Sequence, residues 1–224
     1  MAALLMVEDD GELAEAYSLA LTALGHEVRI SGSGEDALDR AANFDVVLLD
    51  VMLPGIDGFE TCRRLRAGST VPVILLTARG DPVDVVVGLE GGADDYVVKP
   101  VEPRVVDARI KAVLRRTVPR GPGPAVLRVG HLVIDPGAMT VTGDGRELAL
   151  TATELRLLLE FAAHPGQVLN RQVLLERVWD YGYAGDSRIV DATVARLRAK
   201  VERDPANPAV LRTARGLGYR LVLP

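Results

Sequence analysis

Five short apolar runs in the first half of the chain, each followed by a stretch of helical periodicity, constrain the fold more than any other feature. Leu4–Val7, Val28–Ile30, Val46–Leu49, Val73–Leu76 and Tyr96–Val98 have the length and continuous hydrophobicity of strands buried on both faces. Between the first two, Leu13, Ala16, Tyr17, Ala20, Leu21 and Leu24 mark one helical face. Similar patterns cover Gly34–Ala42, Phe59–Arg66, Pro82–Glu90 and Pro103–Arg116. Repeated strand–helix units predict an α/β fold: a doubly wound, five-stranded parallel sheet covered by helices on both faces.

Polar residues stand where four of these runs end: Glu8–Asp9, Asp50, Thr77 and Lys99. The carboxyl ends of parallel strands border the crevice where such sheets bind ligands. Carboxylates brought within 4 Å at an effective dielectric near 20 repel by about 4 kcal/mol per pair. A hard divalent cation such as Mg²⁺ relieves that repulsion and recruits a phosphate. A carboxylate there can act as nucleophile and form an acyl phosphate, with Lys99 and Thr77 placed to hold phosphoryl oxygens.

The second half is of a different kind. RTVPRGPGPA (Arg116–Ala125) holds three prolines and two glycines and cannot continue a helix, so it reads as a linker. We therefore expect a first domain over 1–116, a linker over 117–125 and a second domain over 126–224. Short β-like pieces come first, with Gly143-Asp144-Gly145 as a hairpin turn. Thr151-Ala152-Thr153-Glu154 has capping-box spacing before LRLLLEFAAH, which stops at Pro165-Gly166. Helices over Asn170–Trp179 and Arg188–Arg203 follow, then a glycine-turned hairpin in VLRTARGLGYRLVLP. Strands, three helices and a terminal hairpin make a winged helix-turn-helix order.

Projected at 100° per residue, Val190, Val194, Leu197 and Val201 form the core stripe of Arg188–Arg203. Arg188, Ala192, Ala195, Arg196, Ala199 and Arg203 fall opposite, and alanines between arginines let a helix approach a groove floor. Arg198 and Lys200 lie on the flanks, placed for phosphates. Charge agrees: 20 acidic against 12 basic residues through Arg116, then 11 against 14, within a net charge of −5. The lone cysteine, Cys62, excludes an internal disulfide and reads as a small core filler. His26, His131 and His164 are scattered and suggest no zinc site. The absence of a signal-peptide pattern or a long apolar run leads us to expect a cytoplasmic protein without membrane contact.

VEDD, LLDVMLPGIDG, LLTAR and GGADDYVVKP resemble the receiver domain of two-component response regulators over about the first 116 residues. TATELRLLLEFAAHPGQVLNRQVLLERVWDYGY, SRIVDATVARLRAK and TARGLGYRL resemble the effector domain of OmpR/PhoB-type winged-helix regulators. The first resemblance implies a phosphoacceptor at Asp50, Mg²⁺ held by Glu8, Asp9, Asp50 and the Met52 carbonyl, and a phosphate-binding Lys99. Thr77 and Tyr96 would be the switch pair. A sensor histidine kinase would be the phosphoryl donor. Activation would pair two copies through Asp94, Asp95, Arg109 and Arg116. Two usual partners of opposite charge are here Val85 and Val105, so an apolar spot is expected to replace that ion pair.

The second resemblance implies double-stranded DNA, bound at direct repeats. Ala192 and Arg196 would take base-reading positions and Arg188 and Arg198 backbone contacts. Arg215 would enter the minor groove, and the loop Trp179–Asp186 would meet RNA polymerase. Thr193 and Ala195 depart from the usual His and Arg or Gln, which implies a distinct target sequence. Met52 and Arg79, at positions that tune dephosphorylation, offer no evident base for water, so slow autodephosphorylation is expected. Lysine occurs only at Lys99, Lys111 and Lys200, a bias toward arginine that points to a GC-rich, actinobacterial-like genome. Two rival functions are an aspartate-nucleophile phosphatase and a phosphate-independent DNA-binding regulator with a vestigial receiver. The phosphatase would carry a second acid where Met52 stands and leaves the second half unexplained. Intact Asp50, Thr77 and Lys99 weigh against the vestigial receiver.

Overall fold

Consecutive apolar residues in the strands divide between two cores. In the computed structural model, which describes residues 1–78, 88, 91–115, 126–179 and 187–223, β1 (Ala3–Val7), β2 (Glu27–Ser31), β3 (Val46–Asp50), β4 (Val73–Thr77) and β5 (Asp95–Val98) form one sheet. Every pairing is parallel and the order is β2-β1-β3-β4-β5. Helices α1 (Gly11–Ala23), α2 (Gly34–Arg40), α3 (Gly58–Gly68) and α4 (Pro103–Arg115) accompany it. Leu4, Met6, Leu48, Ile74 and Leu76 pack with Tyr17, Leu21, Val106, Ile110 and Val113 of α1 and α4. Leu5, Val7, Val47, Leu49 and Leu75 pack with Ala37, Cys62 and Leu65 of α2 and α3. The expected helix over Pro82–Glu90 lies, but for Gly88, outside the described residues.

Two local devices fix the strand ends. Asp10 caps α1, its carboxylate accepting from the amides of Glu12 and Leu13, so of three successive acids only Glu8 and Asp9 are left to face the crevice. Gly58 opens α3 where an added Cβ would lie 2.1 Å from the Asp50 carbonyl oxygen, so only glycine permits this approach.

Chain contacts divide the molecule into Met1–Arg115 and Arg116–Pro224. In the second unit β6 (Leu127–Val129), β7 (Leu132–Asp135), β8 (Thr140–Gly143) and β9 (Arg146–Glu147) make an antiparallel sheet. Asp144 and Gly145 turn the β8–β9 hairpin with φ of 48° and 77°, the left-handed pair such a tight turn demands. Helices α5 (Ala152–Ala163), α6 (Arg171–Trp179) and α7 (Arg188–Val201) follow, and β10 (Leu211–Ala214) pairs with β11 (Gly218–Leu221). The Thr151–Glu154 capping box is formed in both directions. Glu202, just past α7, is buried and its carboxylate accepts from the amides of Ala209, Val210 and Leu211, seating the start of β10.

One buried ion pair overturns a sequence expectation. Asp94 does not present its charge at the surface: its carboxylate is 1% exposed and accepts from Arg66 Nη2 at 2.7 Å and from the Val73 amide at 3.1 Å. Arg66 also donates to the carbonyls of Gly92 and Val71, so one guanidinium ties α3 to both approaches of the sheet edge. Arg66→Ala leaves a buried carboxylate without this partner and is expected to cost about 3–5 kcal/mol. Arg29→Ala, which breaks an exposed pair with Glu27, is expected to cost under about 1 kcal/mol. Urea unfolding of the two variants measures the difference, and equal small losses would contradict the role given to Arg66.

Candidate functional site

The sheet order places β1 beside β3, which brings Glu8 and Asp9 to Asp50 at the carboxyl edge. Carboxylate oxygens of the three lie within 4.8 Å of one another, with Glu8 and Asp50 buried and Asp9 exposed. Lys99 reaches in from the end of β5, its Nζ 2.6 Å from Glu8 Oε2 and 3.0 Å from Asp50 Oδ1. Asp50 Oδ1 also accepts from the Val51 amide at 2.9 Å, so both fixed contacts fall on one oxygen.

Burial pushes the Glu8 pKa up, and the neighbouring Asp50 charge adds to it, against the lowering hydrogen bond of Lys99. Burial works against the charged Lys99, but the Glu8 and Asp50 carboxylates outweigh it and hold its pKa above the usual lysine value. Thr77 is buried at the end of β4, and its carbonyl accepts from the Lys99 amide at 2.7 Å. Tyr96 is half-buried against the core on the α2–α3 side. Met52 follows Asp50 by two residues with its side chain 54% exposed.

The donor set suits Mg²⁺: hard oxygen ligands, high negative charge and one open side at Asp9. The fit rests on the three carboxylates. Of the expected pairing residues, Asp95 is also internal, its carboxylate buried, accepting from the Tyr96 amide and lying 3.5 Å from Arg109 of the same chain. Val105 is 42% exposed on α4 rather than turned into its own core. Val85, Arg79 and Arg116 lie outside the described residues.

In the second unit α7 presents a different face from the projected one. Val190, Val194, Leu197 and Val201 are buried as expected, but so are Ile189, Ala192 and Thr193. Ala192 is 7% exposed, and Thr193 Oγ1 donates to the Ile189 carbonyl, so neither is presented as a base reader. The exposed residues are Ala195, Ala199, Lys200 and, beyond the helix, Arg203, with Arg188 and Asp191 partly open. Arg196 folds back, its Nε 3.7 Å from the buried Glu154 and its Nη2 donating to Thr193. Lys200 Nζ donates to Glu154 at 2.7 Å and to the Ala149 carbonyl. Loop residues 180–186 lie outside the described residues, and Trp179 at their edge is buried.

Sequence reasoning missed Tyr219, Asp191 and Arg171, which bind α6, α7 and the hairpin together. Arg171 pairs with Asp191 at 2.7 Å, and the Tyr219 hydroxyl donates to Asp191 at 2.6 Å. Burial first, then that carboxylate, push the Tyr219 pKa up to about 12. The guanidinium carbons of Arg171 and Arg198 lie 5.1 and 5.5 Å from its ring centroid. Arg198 donates from Nε and Nη2 to the Leu211 carbonyl and from Nη2 to Thr213. It is a clamp between α7 and β10 rather than a free phosphate contact. Arg215 is exposed at the hairpin tip.

Two outcomes are expected. Glu8 must lose its proton to hold a cation, and its pKa is raised above 4.5. Mg²⁺ affinity measured by calorimetry therefore falls as pH is lowered, starting above the range of an ordinary glutamate, and Glu8→Gln removes that part of the dependence. Arg198→Ala lowers DNA affinity while changing the slope of log K against log salt by clearly less than the roughly 0.9 of a lost phosphate contact. A full unit of slope would restore Arg198 to the backbone.

Residues 4–111 match the family described as response regulator receiver domain, and residues 145–221 that described as transcriptional regulatory protein, C terminal. The transcriptional regulatory protein AfsQ1 of Streptomyces coelicolor is 59% identical over 223 residues, covering 99% of this chain and 98% of AfsQ1. The DNA-binding response regulator MtrA of Mycolicibacterium smegmatis is 48% identical over 220 residues, covering 97% and 95%. The solved structure of DrrB, a Thermotoga maritima OmpR/PhoB homologue, aligns with a TM-score of 0.52 at 36% identity over 99% of each chain. No helix among the described residues is long and apolar enough to cross a membrane. With two buried acids and a lysine gathered at the receiver's sheet edge and a winged helix following in sequence, the chain belongs to the OmpR/PhoB family of two-component response regulators, transcriptional regulators that bind DNA and take a histidine kinase as partner.

Proposed function

We propose that phosphoryl transfer from a histidine kinase to Asp50 switches this regulator between weak and strong DNA binding. The observation that carries the reading is Lys99 bridging Glu8 and Asp50 in one buried cluster. Oδ2 of Asp50 attacks phosphorus, the phosphorus–nitrogen bond to the kinase histidine breaks, and its electron pair leaves with the imidazole. Mg²⁺, held by Glu8, Asp9, Asp50 and the Met52 carbonyl, supplies charge neutralisation when bound. Lys99 exchanges a carboxylate for a phosphoryl oxygen, Thr77 donates to another, and Tyr96 turns toward the space Thr77 leaves. Water meets the exposed thioether of Met52 rather than a base, which favours a long phosphorylated lifetime.

Asp94 and Asp95 are committed inside the chain, so dimerisation on activation draws on the exposed apolar Val105, with Arg109, itself beside Asp95, and Val85 and Arg116, which lie outside the described residues, as the other expected partners. Two paired copies set their effector domains on direct repeats, with Arg188 and Ala195 at the groove, Arg215 in the minor groove and the loop after Trp179 toward RNA polymerase. Ala195, where a long side chain is usual, supports a target sequence of its own. The work of such a protein belongs to the cytoplasm.

Acetyl phosphate with Mg²⁺ tests the reading. The full chain gains the mass of one phosphoryl group and sediments as a dimer. Asp50→Asn gains no mass and stays monomeric. A phosphorylated mass in Asp50→Asn overturns the site, and unchanged sedimentation of the phosphorylated protein overturns the dimer.

A further inference from the structure

Two arginines stand directly opposite each other on the terminal hairpin. In the β10–β11 register Leu211 faces Leu221, Arg212 faces Arg220, and Thr213 faces Tyr219. Side chains alternate between the two faces of a ribbon. Leu211, Tyr219 and Leu221 are buried, so that face lies against the domain at those positions, while Thr213, though exposed, accepts from Arg198. Arg212 and Arg220 share the other face, and both are exposed.

Like charges opposed across a strand pair weaken it. Neither has a hydrogen bond or ion pair among the described residues. From Pro205 to the end the chain holds Arg212, Arg215 and Arg220 and no acidic residue. Several other cations of this unit are matched: Arg171 with Asp191, Arg177 with Glu160, Lys200 with Glu154 and Arg203 with Asp144. Arg128 and Arg146 are unmatched as well, but their sheet also carries Asp135, Asp144 and Glu147. Among the described residues of this unit, the hairpin gathers Arg212, Arg215 and Arg220, all exposed, with no acid of its own.

We infer that Arg212 and Arg220 grip a backbone phosphate of double-stranded DNA, beside the groove that Arg215 at the tip of the same hairpin enters. Directly opposed residues of antiparallel strands have α-carbons about 4.5–5.5 Å apart, close enough for two guanidinium groups to share one anion. Guanidinium forks match phosphate oxygens two at a time. The DNA supplies the missing counter-charge, and the unfavourable pairing in the free protein becomes favourable in the complex. This rests on the reading of the hairpin as a DNA-contacting wing.

The test titrates the phosphorylated full chain onto two duplexes over a range of KCl. One is a site selected by the protein from random sequence and the other is of mixed sequence. Arg212→Ala and Arg220→Ala are each expected to reduce the slope of log K against log salt by about 0.9, equally on both duplexes. Lysine at either position restores the slope with only part of the affinity, because the fork is lost. The alanine variants unfold at temperatures no lower than the parent, since removing one arginine relieves the opposed pair. Unchanged slopes overturn the inference. If Arg215→Ala weakens binding while the pair leaves the slope unaltered, the wing stands and the phosphate grip falls. If Arg215→Ala is also silent, the wing reading itself fails. A loss confined to cooperative binding at two adjacent sites would hand the pair to a second copy of the chain, and that too overturns it.

Discussion

The receiver is organised around one ammonium group lying between two buried carboxylates. Glu8, just past β1, and Asp50, at the end of β3, are far apart in sequence and meet because β1 and β3 are neighbours. Unscreened carboxylates at 4 Å would repel by about 4 kcal/mol at an effective dielectric near 20, enough to loosen a sheet edge. Lys99 answers from β5, and β4, ending in Thr77, lies between β5 and β3. The remaining exposed acid, Asp9, leaves the cluster open on the side from which a cation and a phosphoryl group would come.

Cations in the effector unit are held by the same logic of internal partners. Glu154 closes the capping box of α5 and also receives Lys200, with Arg196 nearby. A side chain that starts a helix therefore also governs how far two basic residues of α7 extend. Tyr219, with a guanidinium against it from α6 and another from α7, makes the hairpin and the helix one surface. Charge on this surface falls into two classes: residues that shape it, such as Arg171 and Arg198, and residues left over for a ligand, such as Arg215.

Periodicity and strand-end chemistry made much of this legible in the sequence. Runs of apolar residues gave the sheet, Thr151 and Glu154 gave the start of α5, and Gly143-Asp144-Gly145 gave a turn. What could not be read was which charges face inward. Asp94 and Asp95 look alike in GGADDYVV, yet Asp94 meets an arginine 28 positions earlier through a loop in which Gly92 has a φ of 111°. No local pattern encodes that closure. Helical projection likewise found the core stripe of α7 but not its width. Partners on more than one side cover Ile189, Ala192 and Thr193, and a long side chain such as Arg196 reaches back to a neighbour instead of outward.

A short strand links the chemistry to the face expected to pair. β5 begins with Asp95, carries Tyr96 next, and delivers Lys99 immediately past its end. Its register against β4 places Val98 opposite Thr77, and the Lys99 amide donates to the Thr77 carbonyl. The Arg66–Asp94 pair pins the chain just before β5. A slip of one residue would turn every side chain of the strand to the wrong face, and an anchor at one end with a ladder along its length opposes that slip. In the proposed switch, strain arising at Asp50 would be released through side chains, Thr77 and Tyr96 foremost, and not by sliding of the backbone. On that reading a charge added at the sheet edge would be read out a few residues away as a change of surface, the β4–β5 ladder keeping its register.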